Sequence, residues 1–175
     1  MTQLTVTGNT AGDGGGGMYL YASSPAVTSA ILAYNGGSYN VYQNDYQPGT
    51  PLFRYSTLYG PSGNNTYNLS LDETNLQVEP GFLEYGYSSS LEMEVPTDLH
   101  LALESALIDA GDPEGASDVD GSRADPGCSG GSGGAGWDRD GDGWYDYFWP
   151  GRMEDAPDGF DPLDYDLDDL SASIH

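Results

Sequence analysis

Hydrophobic and polar positions alternate through the first seventy residues. Leu4 and Val6 share one face of a short strand, and Met18 and Leu20 share one face of the next. Val27, Ser29 and Ile31 form a third set, Tyr39 and Val41 a fourth. A period of two is the mark of a half-buried strand. Gly14 to Gly17, Gly36-Gly37, Pro48-Gly49 and Gly60-Pro61 punctuate these strands as turns. Nothing in this stretch has a helical period.

The strands also repeat. Pro25-Ala-Val-Thr-Ser-Ala-Ile-Leu-Ala-Tyr34 aligns with Pro51-Leu-Phe-Arg-Tyr-Ser-Thr-Leu-Tyr59 at an offset of 26 residues. Gly16-Gly-Met-Tyr-Leu-Tyr21 aligns with Gly37-Ser-Tyr-Asn-Val-Tyr42 at 21. Short strands recurring every ~20–30 residues suit stacked coils, in which no single turn buries its own apolar face. The inward positions of such a stack are Val27, Ile31, Phe53 and Leu58, forming one continuous core. An antiparallel sandwich shows similar alternation, so pattern alone leaves both architectures open.

A resemblance favours the stack. Asn9-Thr-Ala-Gly-Asp-Gly-Gly-Gly-Gly-Met-Tyr-Leu-Tyr21 and Ser24-Pro-Ala-Val-Thr-Ser-Ala-Ile-Leu-Ala-Tyr-Asn35 resemble coils of bacterial right-handed parallel β-helix repeat proteins. Leu76-Gln-Val-Glu-Pro-Gly-Phe-Leu83 is similar to the penultimate strand of that family. Asp98-Leu-His-Leu101, running on to Ala106-Leu-Ile-Asp-Ala-Gly-Asp-Pro113, is similar to its closing coil. Asp118-Val-Asp-Gly-Ser-Arg-Ala-Asp125 resembles the turn that follows. The resemblance covers residues 4 to about 127 and implies an all-β solenoid, seen here as its C-terminal coils.

Charge then divides the chain. There is no lysine; the basic side chains are Arg54, Arg123, Arg139 and Arg152, against 28 acids, for a formal charge of −24. Asp13 and Asp45 are the acids of residues 1–71, so the remaining 26 fall in residues 72–175. Such a surface repels phosphate backbones and anionic lipid and attracts divalent cations, which argues against nucleic acid as a partner. No apolar run approaches the ~20 residues needed to span a bilayer. Cys128 is the one cysteine, so no intramolecular disulfide forms. The N-terminus shows neither a basic nor an apolar leader region, and the chain reads as a piece of a longer exported protein.

Three segments follow: coils and closing turn over 1–128, a glycine-serine linker over 129–136, and an acidic tail over 137–175. The tail has 12 acids in 39 residues and few aliphatics, too little apolar surface to fold unaided. It is either disordered or organised by metal.

Asp138-Arg-Asp140-Gly-Asp142-Gly143-Trp-Tyr-Asp146 sets oxygen donors at positions 1, 3, 5 and 9, with glycine at 6. Calcium takes ~6–8 hard oxygen ligands, and alternating carboxylates on a tightly turning chain supply them. The Trp144 carbonyl falls at position 7, where a backbone ligand is expected; position 12 is Trp149, not the bidentate Glu of an EF-hand. The bland reading is a solvated acidic loop. The Asp-x-Asp-x-Asp-Gly-x-x-Asp pattern resembles thrombospondin type 3 loops, which implies calcium. Asp161-Pro-Leu-Asp164-Tyr-Asp166-Leu-Asp168-Asp169, ending Ala172-Ser-Ile-His175, resembles the acidic metal-binding repeats of exported bacterial proteins of the MopE type. Leu167 stands where that repeat carries Cys, so hard donors again favour calcium.

Asp109 with Asp112, or Glu92 with Glu94, could be read as paired acids for glycoside cleavage. Many β-helix proteins are polysaccharide lyases or hydrolases, but those lyases use calcium with a basic Arg or Lys. Here Lys is absent, and Arg54 and Arg123 read as salt-bridging residues. Cys128 has no companion motif for nucleophilic catalysis, with His100 and His175 isolated. Among 14 tyrosines, Tyr19, Tyr21, Tyr34, Tyr39 and Tyr42 could form a carbohydrate-stacking face, or else ordinary cross-coil stacking. The sequence thus predicts a non-catalytic calcium-binding structural or adhesive protein, secreted or on the outer surface of a bacterial cell. Its partners are divalent cations and carbohydrate or other cell-surface components. The alternative is a fragment of a polysaccharide-acting β-helix enzyme, a lyase or glycoside hydrolase with its catalytic coils elsewhere.

Overall fold

The computed structural model describes residues 1–60, 62–102, 104–118 and 122–131, with the backbone of two short strands at 145–146 and 165–166. Among these residues the fold is all-β, and no helix is long and apolar enough to cross a membrane.

The first seven strands are β1 (Thr2–Val6), β2 (Gly15–Leu20), β3 (Ala26–Ala33), β4 (Tyr39–Gln43), β5 (Leu52–Arg54), β6 (Thr57–Tyr59) and β7 (Thr66–Tyr67). They fall alternately into two parallel sheets. β1, β3 and then β5 with β6 make one, and β2, β4 and β7 the other. In the first sheet Thr2 pairs with Thr28 and Thr28 with Arg54, while Ile31 pairs with Thr57. The 26-residue repeat is therefore the spacing between adjacent strands. Side chains follow it too: Asn9 N donates to Asn35 Oδ1 (3.0 Å), and Thr50 N to Ser24 Oγ (2.9 Å), both across 26 residues.

The second sheet keeps no constant step: β4 and β7 pair across 25 residues, and β2 and β4 across fewer, with a register shift between Gly15 and Met18. Met18 pairs with Val41, Tyr19 with Tyr42 and Leu20 with Gln43, a spacing of 23 that replaces the expected 21. Matching Tyr21 to Tyr42 by identity puts the strands out of register. Backbone contact decides the register, through a glycine run expected to be a turn. Gly15 to Gly17 instead lie inside β2. A Cβ on Gly16 would stand 1.9 Å from the Gly36 carbonyl oxygen. Only glycine allows the two backbones to approach this closely.

The strands bury two cores, not one. The first lies between the sheets and joins Leu20, Val27, Ala30, Leu32, Val41, Phe53 and Leu58. Ile31 was expected there beside Val27, yet it belongs to the second core with Ala33, Tyr34, Phe82, Leu101 and Leu107. The cause is Ser29, whose φ of 51° interrupts the alternation of β3. A left-handed residue shifts the phase of the strand, so Val27 and Ala30, three apart, share a core and Ile31 points the other way. The interruption repeats: Gln3, Ser29 and Tyr55 have φ of 50°, 51° and 49°. Tyr39 and Val41, expected to share a face, do not: Tyr39 lines an outer cleft while Val41 is fully buried.

The second core is closed by β8 (Phe82–Ser88) and β9 (Met93–Leu101), an antiparallel hairpin. Residues 76–83 were expected to form one more parallel strand. Leu76 does bridge Thr57 in parallel, but the chain then leaves the stack. Residues 89–92 join β8 to β9, a link too short for the crossover that parallel pairing requires.

The segment after β9 straps back onto the first strands. Asp112 N donates to Ser29 Oγ at 2.8 Å and Gly127 N to the Ser29 carbonyl at 2.9 Å. Cys128 N donates to Thr5 Oγ1 at 2.9 Å, and Gln3 Nε2 to the Asp125 carbonyl at 2.8 Å. β3 is thus held from both sides.

Tyr34 sits at the end of this second core, and its hydroxyl donates to Glu79 Oε1 at 2.7 Å beside the Tyr85 hydroxyl. Burial first, then the bonds to Tyr85 and Glu79, push its phenol well above the usual tyrosine range. A raised folded-state pKa means the native chain holds this proton more tightly than the unfolded one. Stability from Tyr34 is therefore full at neutral pH and falls as pH rises past about 10, the unfolded value. Chemical denaturation from pH 8 upward should show this alkaline loss, and Tyr34→Phe should flatten it.

Candidate functional site

β10 (Tyr145–Asp146) and β11 (Tyr165–Asp166) pair in parallel, with Tyr145 opposite Tyr165 and Asp146 opposite Asp166. Adjacent strands lie about 4.8 Å apart, so the ninth position of the first acidic loop stands one strand from the second acidic segment. Asp138, Asp140, Asp142, Trp144, Asp161, Asp164, Asp168 and Asp169 lie outside the described residues, as does His175.

Three acids of the closing segment, Asp112, Asp118 and Asp125, hold backbone, whereas Asp109 Oδ1 is buried with no hydrogen-bond partner among the described residues. Asp118 Oδ2 accepts from Asp125 N at 3.0 Å, and its other oxygen accepts from Gly131 N. Asp125 Oδ1 accepts from Asp109 N (2.7 Å), and Asp112 Oδ1 from Glu114 N (3.0 Å). These carboxylates replace peptide partners that an irregular strap cannot find in a sheet. Asp109 and Asp112, considered for glycoside cleavage, are both in this strap, and Glu92 is in the hairpin turn with Glu94 on β9. Arg123 donates from Nε to the Gly111 carbonyl at 2.7 Å and lies 5.6 Å from the Tyr55 ring centroid, bracing the strap against β5 and β6. His100 Nδ1 lies 2.6 Å from Asp98 Oδ1 on β9. Cys128 is exposed and borders a groove of about 510 Å³ with Gln3, Thr28 and Asp112. Among the described residues, no group of three His, Cys, Asp or Glu is placed to hold a metal ion.

The outer side of the second sheet is aromatic. Tyr19, Tyr42 and Tyr67 come from β2, β4 and β7 and stack as a row, with centroids 5.3 and 4.7 Å apart and planes within 11° and 6°. Tyr39 stands across from the row, tilted 47° to Tyr42 and 45° to Tyr67. With Asp13, Gly14 and Ser38 they line an open cleft of about 400 Å³. Asn44 Nδ2 donates to Tyr19 Oη at 2.8 Å, and Tyr67 Oη donates to Asp45 Oδ2 at 3.0 Å. That bond, followed by the charge of Asp45, raises the Tyr67 pKa, while partial desolvation and then Asp45 raise that of Tyr42. The phenols therefore stay protonated donors at physiological pH.

Of the five tyrosines proposed as a stacking face, Tyr19, Tyr39 and Tyr42 share this cleft. Tyr34 is buried in the second core, and Tyr21 is exposed outside the cleft lining. Tyr67 was missed, along with Asp13 and Ser38. Its signal was the spacing, since Thr66-Tyr67 follows Val41-Tyr42 by 25 residues and pairs with it. No family model matches the chain, and no curated protein or solved structure matches it either.

Proposed function

We propose that the chain forms the C-terminal coils of a right-handed parallel β-helix carrying a calcium-binding tail, and that it serves as a non-catalytic structural or adhesive protein, secreted or on the outer surface of a bacterial cell. The β-helix reading is supported by strands that enter two parallel sheets in turn, β5 and β6 together making the third pass of the first sheet, at a constant 26-residue step there. The observation that carries the calcium reading is the register of Asp146 with Asp166. Two carboxylate residues at one register position repel, and a divalent cation removes that repulsion. The loop from Asp138 supplies Asp140, Asp142, Asp146 and the Trp144 carbonyl, at most five protein ligands with monodentate carboxylates. Calcium takes more, and Asp166, with Asp161, Asp164, Asp168 and Asp169 near it in sequence, is the nearest supply.

Calorimetric titration of calcium into the full chain tests this. Asp140→Ala should abolish the heat and the accompanying Trp fluorescence change, and Asp166→Asn should weaken affinity about tenfold or more. EDTA should leave the β-type circular dichroism unchanged, because the described cores contain no acid. An Asp140→Ala variant that titrates like the parent would remove the loop assignment, and loss of most β signal in EDTA would remove the division of labour between coils and tail.

A further inference from the structure

We infer that the tyrosine cleft on the outer side of the β2–β4–β7 sheet is a binding site for a neutral oligosaccharide. Three observations converge on that class. The first is exposure. The hairpin and strap cover the other sheet, and the second core takes no residue from β2, β4 or β7. The aromatic face is left to solvent, with Tyr19 at 50 % exposure and Tyr46 beside it at 92 %. An uncovered aromatic patch on an otherwise very polar chain marks a contact surface.

The second is the composition of the cleft. Its lining is four tyrosines with Asp13, Gly14 and Ser38, and contains no aliphatic side chain. A hydrophobic peptide would need aliphatic pockets. A sugar needs a flat apolar surface for its C–H face and hydroxyl or carboxylate partners at the edge. Tyr39 is the platform here. Tyr42 cannot be one, since both of its faces lie against Tyr19 and Tyr67. The row instead offers ring edges and phenol oxygens in step with the strands.

The third is charge. The acids near the cleft are Asp13, which lines it, and Asp45, bonded to Tyr67; no basic residue lines it. Uronates, sulfated sugars and phosphates are repelled. A quaternary ammonium would need several open ring faces converging on one point, and the stacked row denies them. The site would give the adhesive reading above its ligand, but it does not depend on the tail.

Affinity electrophoresis of the full chain in excess EDTA tests the site, using mixed-linkage β-glucan, xyloglucan and galactomannan as neutral probes and polygalacturonate as the anionic one. At least one neutral polymer should retard the protein. Tyr39→Ala should weaken that retardation about tenfold or more. Ser38→Trp, at an exposed rim position, should block it without removing a ring of the row, so a poorly folding Tyr39→Ala leaves the test intact. Thermal melts serve as the check that Ser38→Trp folds like the parent. The inference is overturned if no neutral polymer retards the chain, or if retardation survives Ser38→Trp. It is equally overturned if polygalacturonate retards the chain as strongly as any neutral polymer, which removes the charge selectivity, or if choline chloride abolishes the retardation, which makes the cleft a cation site. Because the assay runs in EDTA, failure here leaves the calcium reading standing, and failure of calcium binding leaves this one.

Discussion

Leu32→Ala should lower the unfolding free energy by about 2–5 kcal/mol, measured by urea denaturation in EDTA. Leu32 is fully buried on β3, the strand common to both cores. Its register partners are Val6 on one side and Leu58 on the other. Their backbones are fixed by parallel ladders, so the space left by the missing methyl groups cannot close by local collapse, and the upper part of that range is expected. Leu52→Ala is the matched control. Leu52 lies on β5 but is 45 % exposed, and its loss should cost well under the buried value. If the two variants are equally stable, the burial pattern of the first sheet is wrong.

Gly16→Ala should also destabilise the fold, although it adds only one methyl group. The new Cβ would fall 1.9 Å from the Gly36 carbonyl oxygen, and backbone cannot swing aside as a side chain can. β2 must move away from Gly36, in the connection that leads into β4, which strains the ladder that sets Tyr19 on Tyr42. Overpacking of this kind costs about 1–3 kcal/mol or more. Gly12→Ala, with nothing within 4 Å of its Cβ position, should be near neutral. Measured together by thermal melting, the pair separates close approach from a general intolerance of alanine. The Gly16→Ala variant should also lose affinity for any polymer held in the tyrosine cleft, because the row is built on that register.

The legible and illegible parts of this chain differ in kind. The 26-residue step could be read because Pro25 to Tyr34 and Pro51 to Tyr59 repeat side-chain types that face the same environment on consecutive passes. The step of 23 could not, because β2 is half glycine and carries too little side-chain pattern to fix a register. The faces of β3 were misread for a related reason. A serine in the left-handed region looks in sequence like any polar strand residue, yet it moves Ile31 from one core to the other. The tyrosine cleft was half visible: identity marked Tyr19, Tyr39 and Tyr42, whereas Tyr67 enters only through its pairing with β4.

The sequence by itself determined the all-β class, the first repeat, the acidic asymmetry and the calcium-like spacing from Asp138 to Asp146. Each is a property of local period or composition, set by residues within a few positions of one another. Only the tertiary structure decided that one strand divides two cores, that residues 82–101 close the second as a hairpin, and that the strap after β9 is bonded to Gln3, Thr5 and Ser29. It likewise decided that Asp146 and Asp166 share a register. The strap bonds join residues 83 to 123 positions apart, and Asp146 meets Asp166 across 20. Their partners are mostly backbone amides and carbonyls, which every residue carries, so no side-chain pattern announces them.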